Sequence, residues 1–189
     1  DKRIKPDSLL VGDRNAIIVA TRISGYGPAY KTKVVCPKCE EQQEFVFNLE
    51  EPEVYTGDQI ESLDIIDNNN GTFDVVLPRT GVTVTFRLFT GRDEKAFLGS
   101  LRNKSNKGIE HNVTGQLASM VVAVNGDSTA ETRKFLVNNI PSMDSRHLRL
   151  AYRLAAPNVD LTQNFECSEC GHEQDMEVPL SADFFWPDQ

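Results

Sequence analysis

Cysteine occurs four times in this chain, always as half of a Cys-x-x-Cys pair: Cys36-Pro37-Lys38-Cys39 and Cys167-Ser168-Glu169-Cys170, the second followed by Gly171-His172. Thiolate sulfur is a soft metal ligand. A Cys-x-x-Cys at a tight turn aims two sulfurs at one point, and two such turns complete a tetrahedron suited to zinc. Disulfides, a thioredoxin-type redox pair or four unrelated buried thiols use the same residues. A redox pair needs no second copy, however, and unrelated cysteines would not share one spacing and one frame. The pattern predicts one structural zinc per chain, with Cys36, Cys39, Cys167 and Cys170 as ligands. His172 is near enough to ligate, but four sulfurs close a structural site and leave no open position for hydrolysis.

The elements that hold these turns are strand-like. Val34-Val35 lead into the first and Glu44-Phe45-Val46-Phe47 lead out; Asn164-Phe165-Glu166 and Met176-Glu177-Val178 flank the second. Residues 40–166 separate the pairs, far more than an ordinary zinc ribbon needs, so a metal would clamp the beginning of the chain to its end. Closing so long a loop costs entropy, and thiolate ligation couples metal binding to folding. The expected fold class is α+β: a zinc ribbon from two knuckles near the chain ends, with an inserted mixed α/β segment. The corresponding division is an N-terminal arm and helix over 1–28, a split ribbon over 29–50 plus 160–189 with an aromatic tail, and an inserted domain over 51–159.

Within that frame, residues 1–7 read as a charged arm, and Asp13 as the cap of a helix through Ile17, Ile18 and Ala20 to Gly25. Residues 50–60 form an acidic connection. Leu63 to Ile66 predicts a strand, and Asp67-Asn68-Asn69-Asn70-Gly71 a plain turn rather than a calcium loop, since Pro78 stands where the closing Glu belongs. Phe73–Leu77 and Val82–Phe89 make a hairpin across Pro78-Arg79-Thr80-Gly81. Thr90 with Asp93 opens a helix, and Lys104 to Gly108 is a basic break. Val113 to Val124 reads as a short helix running into a strand at Met120. Ser128 with Glu131 forms a capping box, and Ser142 or Asp144 caps a last helix from Ser145 to Ala155 with Leu148, Tyr152 and Ala155 facing the core.

Composition narrows the function. The 189 residues carry a formal net charge of -8, which argues against a general nucleic-acid binder, because such affinity rests on neutralising phosphates. No apolar run is long enough to cross a bilayer, and no signal-peptide pattern is visible. Paired metal-type cysteines fit synthesis in a reducing cytoplasm. Asp144, Ser145 and His147 are too close in sequence to form a triad, and no phosphate loop or nucleophile elbow appears, so no catalytic residue and no small-molecule substrate is expected.

Two surfaces remain. Arg146, Arg149 and Arg153 form a basic stripe at helical spacing, read either as a contact for an acidic neighbour or as a solvated face favourably placed toward a helix C-terminus. Phe184-Phe185-Trp186 bring three aromatics to the C-terminus, where such residues fold back on their own domain or anchor a partner.

The opening Gly12-Asp13-Arg14-Asn15-Ala16-Ile17, with Arg22-Ile23-Ser24-Gly25-Tyr26-Gly27, resembles the T-even-type baseplate protein family of tailed bacteriophages. So do the first knuckle, Pro141-Ser142-Met143-Asp144-Ser145-Arg146, Pro157-Asn158-Val159-Asp160-Leu161, and the second knuckle with Val178-Pro179-Leu180 and Phe184-Phe185-Trp186-Pro187. These pieces cover both ends well and residues 50–125 poorly. The resemblance implies a component of the virion tail baseplate hub or of hub assembly, with other baseplate or tail subunits as partners and neither nucleic acid nor membrane. A reading from a different class is a zinc-ribbon regulator binding nucleic acid or transcription machinery. The acidic balance and the lack of basic-aromatic residues on either knuckle favour the first.

Overall fold

The computed structural model describes residues 4–57, 59–102 and 109–186; the expected break at 104–108 lies outside them. The chain divides into two compact units, one of residues 1–14 and 56–158, the other of 15–55 and 159–189. The first helix, α1 (Val11–Tyr26), carries the chain from one grouping into the other.

The second unit is built of hairpins. Strands β1 (Ala29–Val35) and β2 (Gln42–Asn48) pair antiparallel, from Ala29 opposite Asn48 to Val35 opposite Gln42. Tyr30 and Val34 alternate inward with Phe45 and Phe47, as the period of two requires. After β3 (Glu53–Tyr55) the chain enters the other unit.

That unit holds a four-stranded antiparallel sheet in the order β4 (Ile66–Asp67), β5 (Thr72–Val76), β6 (Thr83–Arg87) and β7 (Val121–Val124). Helices α2 (Gly91–Arg102) and α3 (Ile109–Met120) carry the chain from β6 to β7; α4 (Ala130–Asn139) and α5 (Ser142–Ala155) follow. Val75, Leu77, Val84 and Phe86 pack with Leu117, Met120, Leu136, Val137, Leu148, Ala151 and Ala155, while Val76 and Ile66 point outward. The chain then returns through β8 (Asn158–Asp160), paired with β3, to the hairpin of β9 (Thr162–Glu166) and β10 (Glu173–Glu177) and the short α6 (Ala182–Phe185).

Several local expectations change. The strand expected over 63–66 is a 3-10 turn at Gln59–Leu63, and extended backbone resumes only at Ile66 because Asp64 adopts a positive φ of 51°. Helix α1 begins at Val11, so Asp13 lies in its first turn instead of capping it. The cap of α4 is Thr129, whose hydroxyl accepts from the Thr132 N–H, not Ser128; Asp127 braces it by accepting from the Thr129 N–H and the Thr132 hydroxyl. Helix α3 runs from Ile109, longer than expected, and α5 starts at Ser142 with Pro141 at its cap position. Asp144 is turned inward: fully buried, it accepts from the N–H of Arg79 (2.8 Å) and Thr80 (3.2 Å), fixing the β5–β6 turn. The Thr90–Asp93 arrangement is present, with Asp93 accepting from both the Thr90 N–H and its hydroxyl.

Two of the sequence pieces meet in this unit. A Cβ added at Gly12 would lie 1.7 Å from the Pro157 carbonyl oxygen, so α1 approaches the 157–158 backbone where only glycine fits.

Candidate metal centre

The two hairpins end in turns of one design. In the first, the Cys36 N–H donates to Glu41 O and the Glu40 N–H to Cys36 O; in the second, the Cys167 N–H donates to His172 O and the Gly171 N–H to Cys167 O, all at 2.9 Å. In both, the residue after the second cysteine is left-handed, Glu40 at φ 61° and Gly171 at φ 62°. The sequence shows that conformation only at Gly171, where glycine adopts it freely.

All four sulfurs lie within 4.8 Å of one another. Across the two turns, Cys36 Sγ stands 3.8 Å from Cys170 Sγ, and Cys39 Sγ 3.7 Å from Cys167 Sγ. A disulfide needs about 2.05 Å, so these are four free thiols. Sulfurs about 2.3 Å from a central zinc would stand about 3.8 Å apart at the corners of a tetrahedron. The donor set therefore fits a four-sulfur metal site. Cys36 and Cys167 are buried, while Cys39 and Cys170 are exposed; His172 is not among the clustered donors.

The turns also prepare charge. Burial opposes ionisation of Cys36, but N–H groups of Cys39 and Lys38, with the Cys39 and Cys167 thiols, outweigh it and lower its pKa to about 7. The Glu41 N–H acts to lower that of Cys39; burial and hydrogen bonding with the other three thiols push it up to about 12. Burial, with the Cys167 and Cys36 thiols, raises Cys170 against the opposing His172 N–H and Cys39 thiol. Negative charge on one sulfur opposes charge on its neighbours, and a cation among them would offset that repulsion.

What brings the hairpins into register is a pair of amide side chains that the sequence reading passed over. Gln163 accepts from the Asn48 N–H (3.0 Å) and donates to Asn48 O (2.7 Å), pairing with β2 as a strand residue would. Gln43 donates to Glu166 O (3.3 Å) and accepts from the Ser168 N–H (3.0 Å) beside the second turn. Glutamine in a strand carries no signal of this role, because the partner is a backbone far away in sequence.

The other candidate residues lie apart from the sulfurs. Arg146, Arg149 and Arg153 are exposed along α5, and among the described residues no carboxylate pairs with them. In the aromatic tail the two readings divide by residue. Phe184 is fully buried, edge-on to Tyr30 at 5.1 Å, and is a core side chain; Phe185 is half-exposed and Trp186 is 74% exposed. Asp144 and Ser145 are buried and serve the fold.

Residues 1–72 and 68–183 match the model of the family described as T4 bacteriophage base plate protein. No curated protein and no solved structure matches the chain. The match takes in both cysteine turns, the Gly12 and Pro157 approach, and the middle of the chain, where the recognisable sequence pieces are sparse. The chain belongs to the T4 bacteriophage base plate protein family.

Proposed function

We propose that the protein is a structural or assembly component of the phage tail baseplate hub, held by contacts with other baseplate subunits and stabilised by one zinc ion bound to Cys36, Cys39, Cys167 and Cys170. The family match supports the baseplate role. The sulfur spacing supports zinc, because four thiolates at tetrahedral separation suit a borderline-soft ion without geometric preference. In this reading the ribbon spans 29–50 plus 160–189, 51–159 forms the inserted α+β body, and the metal neutralises the thiolates and locks the two turns together. Partners are met by Phe185 and Trp186 and by the Arg146, Arg149 and Arg153 stripe, residue types that carry much of the energy of interfaces. Phe184 supports them from the core.

Elemental analysis of purified protein tests the metal: one zinc per chain is expected, and metal-replete protein without zinc would refute it. For the partner surface, truncation after Leu180 would remove Phe184 from the core, so substitution at the exposed pair is the cleaner test. A phage carrying F185A and W186A should make stable, zinc-bound protein that is not incorporated into baseplates. Full complementation by that variant would remove the tail from the interface. Mass spectrometry of purified virions separates a resident component from an assembly factor.

A further inference from the structure

Arg22 is a buried charge that the proposed function leaves unexplained. It is only 6% exposed, and among the described residues no carboxylate pairs with it. Among the described residues its one hydrogen bond runs from Nη1 to Gly27 O at 3.1 Å, and its buried Nε has no partner. Three rings hold the guanidinium in place, with centroids at 4.9 Å (Tyr26), 5.9 Å (Tyr30) and 5.9 Å (Phe184). A buried charge without a counter-ion is costly, and ring contacts offset only part of that cost.

The same residue lines an open groove of about 790 Å³ over the outward face of the β1–β2 hairpin. Lys31, Lys33 and Glu44 of the hairpin also line it, with Asp183 of α6. Glu44 is neutralised by Lys31 at 2.7 Å. Arg22 and Lys33 thus oppose Asp183 alone, leaving a local cationic excess on a chain whose net charge is -8.

We infer that this groove receives an acidic segment of a partner protein, one carboxylate of which pairs with Arg22. A guanidinium clamped by three rings, its Nε closed off, presents its terminal Nη edge in a fixed direction that a carboxylate can meet, and little side-chain entropy remains to be lost on binding. A protein segment fits better than a nucleic acid. The groove offers one preorganised cation flanked by Glu44 and Asp183, whereas a polyphosphate needs a continuous basic track. The exposed Phe185 and Trp186 continue from Phe184, with ring centroids at 5.2 and 6.0 Å, so apolar residues beside the carboxylate have rings to cover. The inference rests on the baseplate reading only for where the partner comes from.

The test uses zinc-loaded full-length protein and a fluorescein-labelled peptide of Glu-Gly-Leu repeats, read by anisotropy, with the Gln-Gly-Leu peptide and inorganic phosphate as comparisons. The Glu peptide should bind, and the Gln peptide should bind at least roughly tenfold more weakly. R22M should abolish the difference while keeping the zinc content and keeping or raising the melting temperature, since it removes an unpaired buried charge. If R22M does not fold, R22K keeps the charge and loses the Nη edge, and roughly tenfold weaker binding is expected. No binding of the Glu peptide at millimolar concentration, equal binding of both peptides, or binding of phosphate alone would overturn the proposal. So would a lowered melting temperature in R22M with unchanged peptide affinity, which makes Arg22 a packing residue. These outcomes are independent of the F185A and W186A phage test, so either idea can fail alone.

Discussion

The sheet-and-helix unit and the hairpin unit close the chain with different materials. In the first, four strands meet helices over a broad apolar core of Val75, Leu77, Val84, Phe86, Leu117 and Leu148, and burial of this kind holds without help. In the second, three two-stranded ladders share a smaller core in which Cys36 and Cys167 themselves are members. A two-stranded hairpin is marginal alone in water. The hairpin unit therefore relies on the amides of Gln43 and Gln163 and on the sulfur cluster, and the comparison predicts that disturbances will separate by unit.

Removing the metal should produce the largest separation. With a chelator, or in C36S, the hairpin unit should lose its cooperative transition while the sheet-and-helix unit keeps its own, because structural zinc contributes on the order of 10 kcal/mol to small domains. Hydrogen exchange resolved by residue reads this directly: protection should vanish over 29–48 and 162–177 and persist over 72–87 and 142–155. Uniform loss everywhere would mean that the two units fold as one.

The sheet-and-helix unit should be most sensitive at Gly12. Alanine normally improves a helix by up to about 1 kcal/mol over glycine, yet its Cβ would stand 1.7 Å from a backbone oxygen that cannot rotate away. We expect G12A to cost about 3 kcal/mol, measured by denaturant unfolding of that unit. D144N follows at about 2 kcal/mol. It replaces a buried carboxylate that accepts from the Arg79 and Thr80 N–H groups with an amide that has only one accepting oxygen.

Asp93 gives that unit an acid limit of its own. The Arg87 guanidinium holds the Asp93 carboxyl well below the usual carboxylate range, burial opposes this, and the Thr90 N–H and hydroxyl reinforce it. Because the folded-state value is depressed, the stabilisation is complete above about pH 4 and is lost as pH falls through the folded value. D93N should cost about 1 kcal/mol at neutral pH, allowing for partial exposure, and should flatten the acid limb of stability against pH.

The sequence made the sulfur cluster legible because its chemistry is local: four identical residues, two spacings, and strand-like flanks that became β1, β2, β9 and β10. Helices α4 and α5 and the 73–87 hairpin were legible from periodicity and turn chemistry, with ends shifted by a residue or a few. What escaped was long-range. Gln43 and Gln163 act on backbone from the opposite end of the chain. Asp144 resembles a cap from its position, yet its carboxylate is spent on the β5–β6 turn. Phe184 and Trp186 are neighbours of one class, and only the packing against Tyr30 tells the core residue from the exposed one.

The smallest expected effect is the sharpest probe of whether the two cysteine turns are equivalent. Both place the residue after the second cysteine in the left-handed region, one with glycine and one with glutamate. A side chain there costs about 1 kcal/mol through contact of Cβ with the following carbonyl, while glycine adds unfolded-state entropy that recovers part of the difference. E40G should therefore stabilise the hairpin unit by about 0.5 kcal/mol. G171A should destabilise it by about 1 kcal/mol, and this loss is conformational alone, since a Cβ at Gly171 meets nothing within 4 Å. Thermal melts of the zinc-loaded protein should show shifts of opposite sign. If both turns are clamped by one ion, the two changes should fall in the same transition and, since the residues do not share a partner, should add in the double variant. A shift confined to one hairpin in hydrogen exchange, with the other unmoved, would mean that the turns open separately and that the metal does not join them.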